Sequence, residues 1–282
     1  MVAAEISTLR DGFVAEVTPH GRPPHDDAVV TRVQEALRTH AVIVIRGQQG
    51  LSALEQAAFT RLLGPLEPAS DMRNHHPDST DVMVVDNSGT TPVVGNQCWH
   101  SDRSFLPEPT RYTVLSGQVI PASGSETLFA DMAGAYRGAP EAWRRTLRGA
   151  TGVHSYDKLA HMRAAIHNAP VQPDYARLFP PVRHPLVRLH PESGTAAFYL
   201  SELCLARIEP GAGDSVDVSV EELHAHATRP ESVYRHAWSA GDLVIWDNCR
   251  VMHRAGTLTP GPARILYRTT TAGGAPEAYV PA

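Results

Sequence analysis

Cysteine is scarce in this chain: Cys98, Cys204 and Cys249 are the only three among 282 residues, and they lie far apart. An odd number with no paired spacing excludes a disulfide framework and a zinc knuckle, and suits reduced thiols. Long apolar runs are missing too, since no stretch approaches the roughly 20 residues that a membrane span needs. The first residues, Met1-Val2-Ala3-Ala4-Glu5-Ile6, lack the basic end and apolar run of a secretory signal. The expectation is a cytoplasmic protein without a membrane partner. Nor is there a surplus of positive charge. Lys and Arg number 25 against 30 Asp and Glu, and the formal net charge of −5 offers no basic field for nucleic acid. Repeats, low-complexity tracts and anything resembling an interdomain linker are absent.

What is present reads as one domain over residues 1–282. At 42% hydrophobic and 20% charged, the composition supports a sizeable core. Two helices are marked by capping boxes, Ser52-Ala53-Leu54-Glu55 and Ser219-Val220-Glu221-Glu222. A third spans about residues 26–39, with Val29, Val30, Val33 and Leu37 on one side. A fourth starts at Pro140, a favoured first-turn residue, and carries Trp143 and Leu147. Between these lie short β-like runs at about residues 41–45, 82–85, 112–116, 127–130, 196–200, 242–246 and 264–270. Many short strands with Pro and Gly punctuation predict a mainly β barrel or sandwich with helices outside. Residues 156–190 have the loosest pattern, and residues 151–190 are expected as an insertion or lid over the barrel mouth.

Two histidines and a carboxylate carry the chemistry. His100 and Asp102 stand in Trp99-His100-Ser101-Asp102-Arg103-Ser104-Phe105, and His253 ends a run that begins at Gly241. If residues 97–105 are extended, His100 and Asp102 share a face and can meet one ion, with His253 arriving from a distant strand. Such a set leaves half of a metal's coordination sphere open, as non-haem Fe(II) oxygenases require. Arg264 and Arg268, four apart in an apparent strand, point to the same face about 13 Å apart. An inward guanidinium is costly without an anion. The partner of each is a cosubstrate carboxylate, a substrate acid group or a rim Asp or Glu. Thr127, at the head of its β run, is placed to add a hydroxyl donor or simply to favour the sheet. His190 and His236 are expected as hydrogen-bonded structural residues, His75 and His76 as loop residues, and Glu126 in a turn or ion pair.

Taken together, the motifs resemble the TauD/TfdA family of Fe(II)/2-oxoglutarate-dependent dioxygenases. They are Asn96-Gln97-Cys98-Trp99-His100-Ser101-Asp102, Gly124-Ser125-Glu126-Thr127-Leu128-Phe129, residues 241–253 and residues 264–268. Val44-Ile45-Arg46-Gly47-Gln48, Leu63-Gly64-Pro65-Leu66 and Pro185-Leu186-Val187-Arg188 extend the likeness over nearly the whole chain. Within the family it is nearest to the 2,4-dichlorophenoxyacetate-oxidising branch, through the first motif and Val233-Tyr234-Arg235-His236 with Trp238.

The resemblance implies a double-stranded β-helix, or jelly-roll, core. It implies that His100, Asp102 and His253 bind Fe(II), and that Arg264 and Thr127 hold the remote carboxylate of 2-oxoglutarate, with Asn96 nearby. Arg268 then faces the anionic group of a small substrate, a carboxylate, sulfonate or sulfate. O2 and 2-oxoglutarate are the cosubstrates, and the expected outcome is hydroxylation, with cleavage of an adjacent C–O or C–S bond where the product is unstable. No catalytic side chain is expected beyond the iron ligands. Residues 71–91 and 151–181 depart from the family pattern, so the substrate does not carry over with the fold. Desaturation or cyclisation in natural-product tailoring, zinc-dependent hydrolysis and a non-catalytic cupin-like binder are the alternatives, and a homo-oligomer is left open.

Overall fold

The computed structural model describes residues 4–68, 74–87, 97–166, 170–171, 175–211, 215–257 and 263–280. Its strands are β1 (Glu5–Arg10), β2 (Val14–Thr18), β3 (Val42–Ile45), β4 (His75–His76), β5 (Ser79–Asp86), β6 (Tyr112–Val119), β7 (Thr127–Asp131) and β8 (Thr151–His154). They continue as β9 (Val182–Pro185), β10 (Val187–Leu189), β11 (Ala196–Phe198), β12 (Leu205–Glu209), β13 (Val233–His236), β14 (Leu243–Asp247), β15 (Val251–Ala255) and β16 (Ile265–Thr270). The helices are α1 (Asp27–Thr39), α2 (Ala53–Arg61), α3 (Met132–Arg137), α4 (Glu141–Thr146), α5 (Asp157–Ile166), α6 (Tyr175–Leu178) and α7 (Val220–Ala227).

Period-2 alternation explains how the layers form. In β3, Val42 and Val44 enter one core cluster with Phe129, Trp238, Val244, Trp246 and Val251. Ile43 and Ile45 enter another, against Val29, Val33 and Leu37 of α1. A strand buried on both faces is an unbroken apolar run, which is what β3 and the first four residues of β14 are. The large sheet runs β1-β2-β3-β14-β6-β16-β5-β4, and a smaller one runs β13-β7-β15. The small sheet turns Phe129 and Val251 toward the large sheet and Leu128, Ala130 and Met252 toward the helices on its other side. Phe129 meets Trp246 across the gap at 5.4 Å between centroids. Two facing, mainly antiparallel sheets with helices outside form the expected jelly-roll core.

The helix ends follow their chemistry. Ser52 and Ser219 both make the reciprocal capping box, and the Asp26 side chain caps α1 at the Ala28 N–H. Pro140 precedes α4 by one residue and does not open it. Two expectations change. Residues 97–105 form no strand; they make one isolated bridge at His100 and then turn, with Arg103 in the left-handed region at φ +52°. Residues 156–190 are not loose throughout, because β9 pairs with β8, and Tyr156 packs with Leu159 and Ala160 of α5 in an apolar cluster. His75 and His76, expected in a loop, form a short strand in which His76 Nε2 lies 3.2 Å from the Tyr267 hydroxyl.

Candidate metal centre

Position on β15 decides where His253 points. His253 pairs with inward-facing Phe129 and sits two residues from inward-facing Val251, so its ring enters the space between the sheets. His100 is brought to it by a reciprocal backbone pair. The His100 N–H donates to the His253 carbonyl at 3.0 Å, and the His253 N–H donates back at 2.9 Å. Side chains of such a pair leave the ladder on the same side, and the two imidazole centroids are 4.2 Å apart. The turn after the bridge then swings Asp102 into the same space. Ser101 Oγ donates to the Val251 carbonyl at 3.0 Å, which ties this turn to β15.

The three side chains converge, with one ligand atom from each lying within 4.8 Å of the others. His100 Nε2 is 3.8 Å from Asp102 Oδ1, and His253 Nε2 is 3.8 Å from Asp102 Oδ2. His100 Nδ1 is 2.8 Å from the Cys98 carbonyl. A carbonyl only accepts, so Nδ1 carries the proton and the Nε2 lone pair faces the cluster. Burial, with His100 and Arg268 nearby, pushes His253 down to about 3. Burial likewise lowers His100. For Asp102, burial acts upward but is outweighed by Arg268, His253, His100 and the Thr113 hydroxyl, which hold it well below the usual carboxylate range. Two neutral imidazoles and one carboxylate form a donor set that suits a divalent cation without displacing protons.

The two arginines, Arg264 and Arg268, differ in kind. Arg264 is 4% exposed, just ahead of β16. Its Nη1 donates to Asn87 Oδ1 at 3.2 Å and its Nη2 reaches the Ser125 carbonyl at 3.5 Å. Among the described residues no carboxylate pairs with it, and burial lowers its pKa to about 10. Thr127 lies two residues beyond Ser125 with its side chain inward. Its Oγ1 accepts from Trp238 Nε1 at 2.9 Å, which leaves its own proton to donate elsewhere.

Arg268 departs from the expectation of a second guanidinium waiting for a ligand: its Nη2 lies 2.8 Å from Asp102 Oδ1. The partner is not a rim acid but the carboxylate of the cluster itself, which burial leaves in need of a countercharge. Asn96 lies outside the described residues.

Other expectations resolve simply. His190 Nε2 is 2.7 Å from Asp247 Oδ2, and His236 Nε2 is 3.1 Å from Asp242 Oδ2, both in the interior as structural pairs. Glu126 pairs with Arg235 at the surface. The three cysteines are free thiols. Several neighbours of the cluster carried no signal in the sequence. Glu202 brackets Trp99, accepting the Trp99 N–H on Oε2 and donating its own N–H to the Trp99 carbonyl, each at 2.8 Å. Thr113 and Asn248 contact Asp102, at its carboxylate and its N–H respectively. A polar residue in an apolar run is the only hint at such positions, and many polar residues share it.

Comparison with known proteins agrees with this geometry. Residues 5–270 match the model of the taurine catabolism dioxygenase TauD, TfdA family. The alpha-ketoglutarate-dependent 2,4-dichlorophenoxyacetate dioxygenase of Burkholderia sp. (strain RASC) is 36% identical over 261 residues, covering 87% of this chain and 86% of its own. The alpha-ketoglutarate-dependent sulfate ester dioxygenase of Pseudomonas putida is 34% identical, covering 90% of this chain and 84% of its own. The crystal structure of AAD-2 in complex with Mn(II) and N-oxalylglycine superposes with a TM-score of 0.79 at 29% identity, over 99% of this chain and 100% of that one. With the family model spanning most of its length and the fold shared, the chain belongs to the TauD/TfdA family and is an Fe(II)- and 2-oxoglutarate-dependent dioxygenase, an oxidoreductase.

Proposed function

We propose that His100, Asp102 and His253 hold the Fe(II), and that Arg264 with the Thr127 hydroxyl receives the remote carboxylate of 2-oxoglutarate, with Asn96 beside it. Arg268 then receives the acid group of a small organic substrate, a carboxylate, sulfonate or sulfate. The observation that carries this reading is Arg264: a guanidinium 4% exposed, with neutral oxygen partners and no described acid, in a chain that also gathers His100, Asp102 and His253 into a cluster able to hold a metal. A lone buried cation is costly, and a planar fork matches a carboxylate.

When bound, iron and 2-oxoglutarate supply the oxidation: one atom of O2 goes to succinate as CO2 leaves, and the other goes to a substrate C–H bond. The residues of the chain bind and orient. Asn87 and the Ser125 carbonyl fix the plane of the Arg264 guanidinium, and Trp238 turns the Thr127 proton away from itself. Arg268, within 2.8 Å of Asp102, would hold a substrate acid group next to the cluster and so bring the neighbouring carbon within reach. The named activities of the relatives support a small anion, since one acts on 2,4-dichlorophenoxyacetate and another on a sulfate ester.

The chain would work as one domain, with residues 151–190 over the mouth. Phe105, three residues after Asp102, meets Tyr156 and Phe179 of that segment at 4.7 and 5.3 Å between centroids. Among the described residues no helix is long and apolar enough to cross a membrane, and the free thiols suit a cytoplasmic setting.

The test is a panel of aryloxyacids, alkyl sulfates and sulfonates, with their neutral esters or amides, scored by O2 uptake and succinate release. An acid should turn over while its neutral analogue does not. Arg268→Ala should weaken substrate binding strongly and leave 2-oxoglutarate affinity within a few-fold. Equal turnover of a neutral analogue, or loss of 2-oxoglutarate affinity in the variant, would remove Arg268 from the substrate site.

A further inference from the structure

A buried relay of polar side chains ends on Asp102. Thr113, on β6, is fully buried, and its Oγ1 lies 2.6 Å from Asp102 Oδ2. Asn248, 2% exposed in the turn between β14 and β15, donates from Nδ2 to that same Thr113 oxygen at 3.0 Å and to the Arg111 carbonyl at 3.4 Å. Its Oδ1 accepts the Asp102 N–H at 3.1 Å and the Trp246 indole N–H at 3.3 Å.

The direction of every bond in this relay is forced. The Asp102 N–H and the indole N–H can only donate, so the Asn248 oxygen must face them and its NH2 must face Thr113. The Thr113 oxygen therefore accepts from Asn248. Its single proton is left for an ionised carboxylate that can only accept. Asn248 has both donor hydrogens and both acceptor positions engaged, so it has no competing arrangement to adopt. The relay grips Asp102 at two points, main-chain nitrogen and carboxylate, and thereby sets both the position of the residue and the rotation of its carboxyl plane.

Resting on the reading of Asp102 as a metal ligand, we infer that Thr113, oriented by Asn248, is a positioning residue that locks the Asp102 carboxylate for the ion. The other carboxylate oxygen is held by Arg268 at 2.8 Å. That contact is one a substrate acid group can take over, since Arg268 is also the residue proposed to receive it. Thr113 has no such rival among the described residues. When Arg268 turns to a substrate, Thr113 is the side chain that keeps the carboxylate in place. Partners of this kind behind a ligand typically govern metal affinity about ten- to a hundredfold.

The test uses the full chain, stripped of metal and titrated with Mn(II) by calorimetry. Thr113→Val and Thr113→Ala remove the hydroxyl, Thr113→Ser keeps it, and Asp102→Ala checks the ligand itself. Both hydroxyl-free variants should lose about ten- to a hundredfold in Mn(II) affinity while Thr113→Ser stays within about threefold of wild type. Melting of the metal-free proteins separates positioning from folding. The inference is overturned if Thr113→Val or Thr113→Ala folds and binds Mn(II) within about threefold of wild type, or if Thr113→Ser loses as much as they do. It is overturned equally if neither hydroxyl-free variant folds while Thr113→Ser does, because the hydroxyl is then a folding element. Normal Mn(II) binding by Asp102→Ala would overturn the reading of the cluster itself. Loss in Asp102→Ala with normal binding in a folded hydroxyl-free variant would overturn only the role of Thr113.

Discussion

Replacing Arg264 with methionine should separate stability from cosubstrate binding. Burial draws the guanidinium well below its ordinary value, down to about 10. At about 1.36 kcal/mol per pH unit, that shift represents a cost of about 3 kcal/mol for keeping the charge inside without an acid partner. The cost is present throughout the neutral range, because the depressed group loses its proton only as pH rises to about 10. Arg264→Met removes it. The loss of two donor contacts, to Asn87 Oδ1 and the Ser125 carbonyl, returns about 1 kcal/mol each. The metal-free variant should therefore be as stable as wild type, or more stable by about 1 kcal/mol.

Binding should move the opposite way. Removing one side of a buried guanidinium–carboxylate pair costs about 3–5 kcal/mol, which is about a hundredfold to a few thousandfold in affinity. Anaerobic calorimetry of 2-oxoglutarate into Mn(II)-loaded protein reads that loss directly. Urea melts of the metal-free chain read the stability. Wild type at a hundred times its dissociation constant should gain about 2.7 kcal/mol from the ligand, and the variant should gain almost none at that concentration. The reasoning is refuted if Arg264→Met keeps 2-oxoglutarate affinity within a few-fold, or if the metal-free variant is destabilised by more than about 2 kcal/mol.

Two further outcomes concern stability. Asp247 lies against His190 and Arg111, at 2.7 and 3.1 Å. Burial pushes its pKa upward, but the His190 hydrogen bond and the Arg111 charge prevail and bring it from 3.8 to about 2. A carboxylate depressed by folding contributes stability above its unfolded pKa and loses it as pH falls through the folded one. About 2 kcal/mol should thus disappear between about pH 4 and pH 2, and Asp247→Asn should flatten that limb in acid titration of the fold while being less stable at pH 7. Gly273 leaves no room for a side chain, since a Cβ there would collide with the Pro109 carbonyl oxygen. Gly273→Ala should cost about 1–3 kcal/mol in a urea melt, and an unchanged midpoint would mean that the segment after β16 shifts freely.

The sequence by itself determined the features that depend on near neighbours or on a strict period. Ser52 and Ser219 cap their helices through residues three places on, and the strand at residues 42–45 declares its two buried faces as an unbroken apolar run. That His100, Asp102 and His253 gather into one cluster able to hold a metal was legible, because such a site needs those residue types in those motifs. What tertiary structure alone decided is which groups meet across the fold. The bridge between His100 and His253 takes the place of the extended stretch considered for residues 97–105, because a backbone pair 153 positions apart leaves no local trace. The partner strand of β8, β12, lies about 50 residues further along, so the order within residues 151–190 was hidden as well. Arg268 found its countercharge on Asp102, a choice set by the depth of two side chains in one interior. Thr113 reads in sequence as an ordinary strand former; only the fold aims its single proton at a carboxylate, because hydrogen bonds are directional and their partners are assigned by the packing of distant strands.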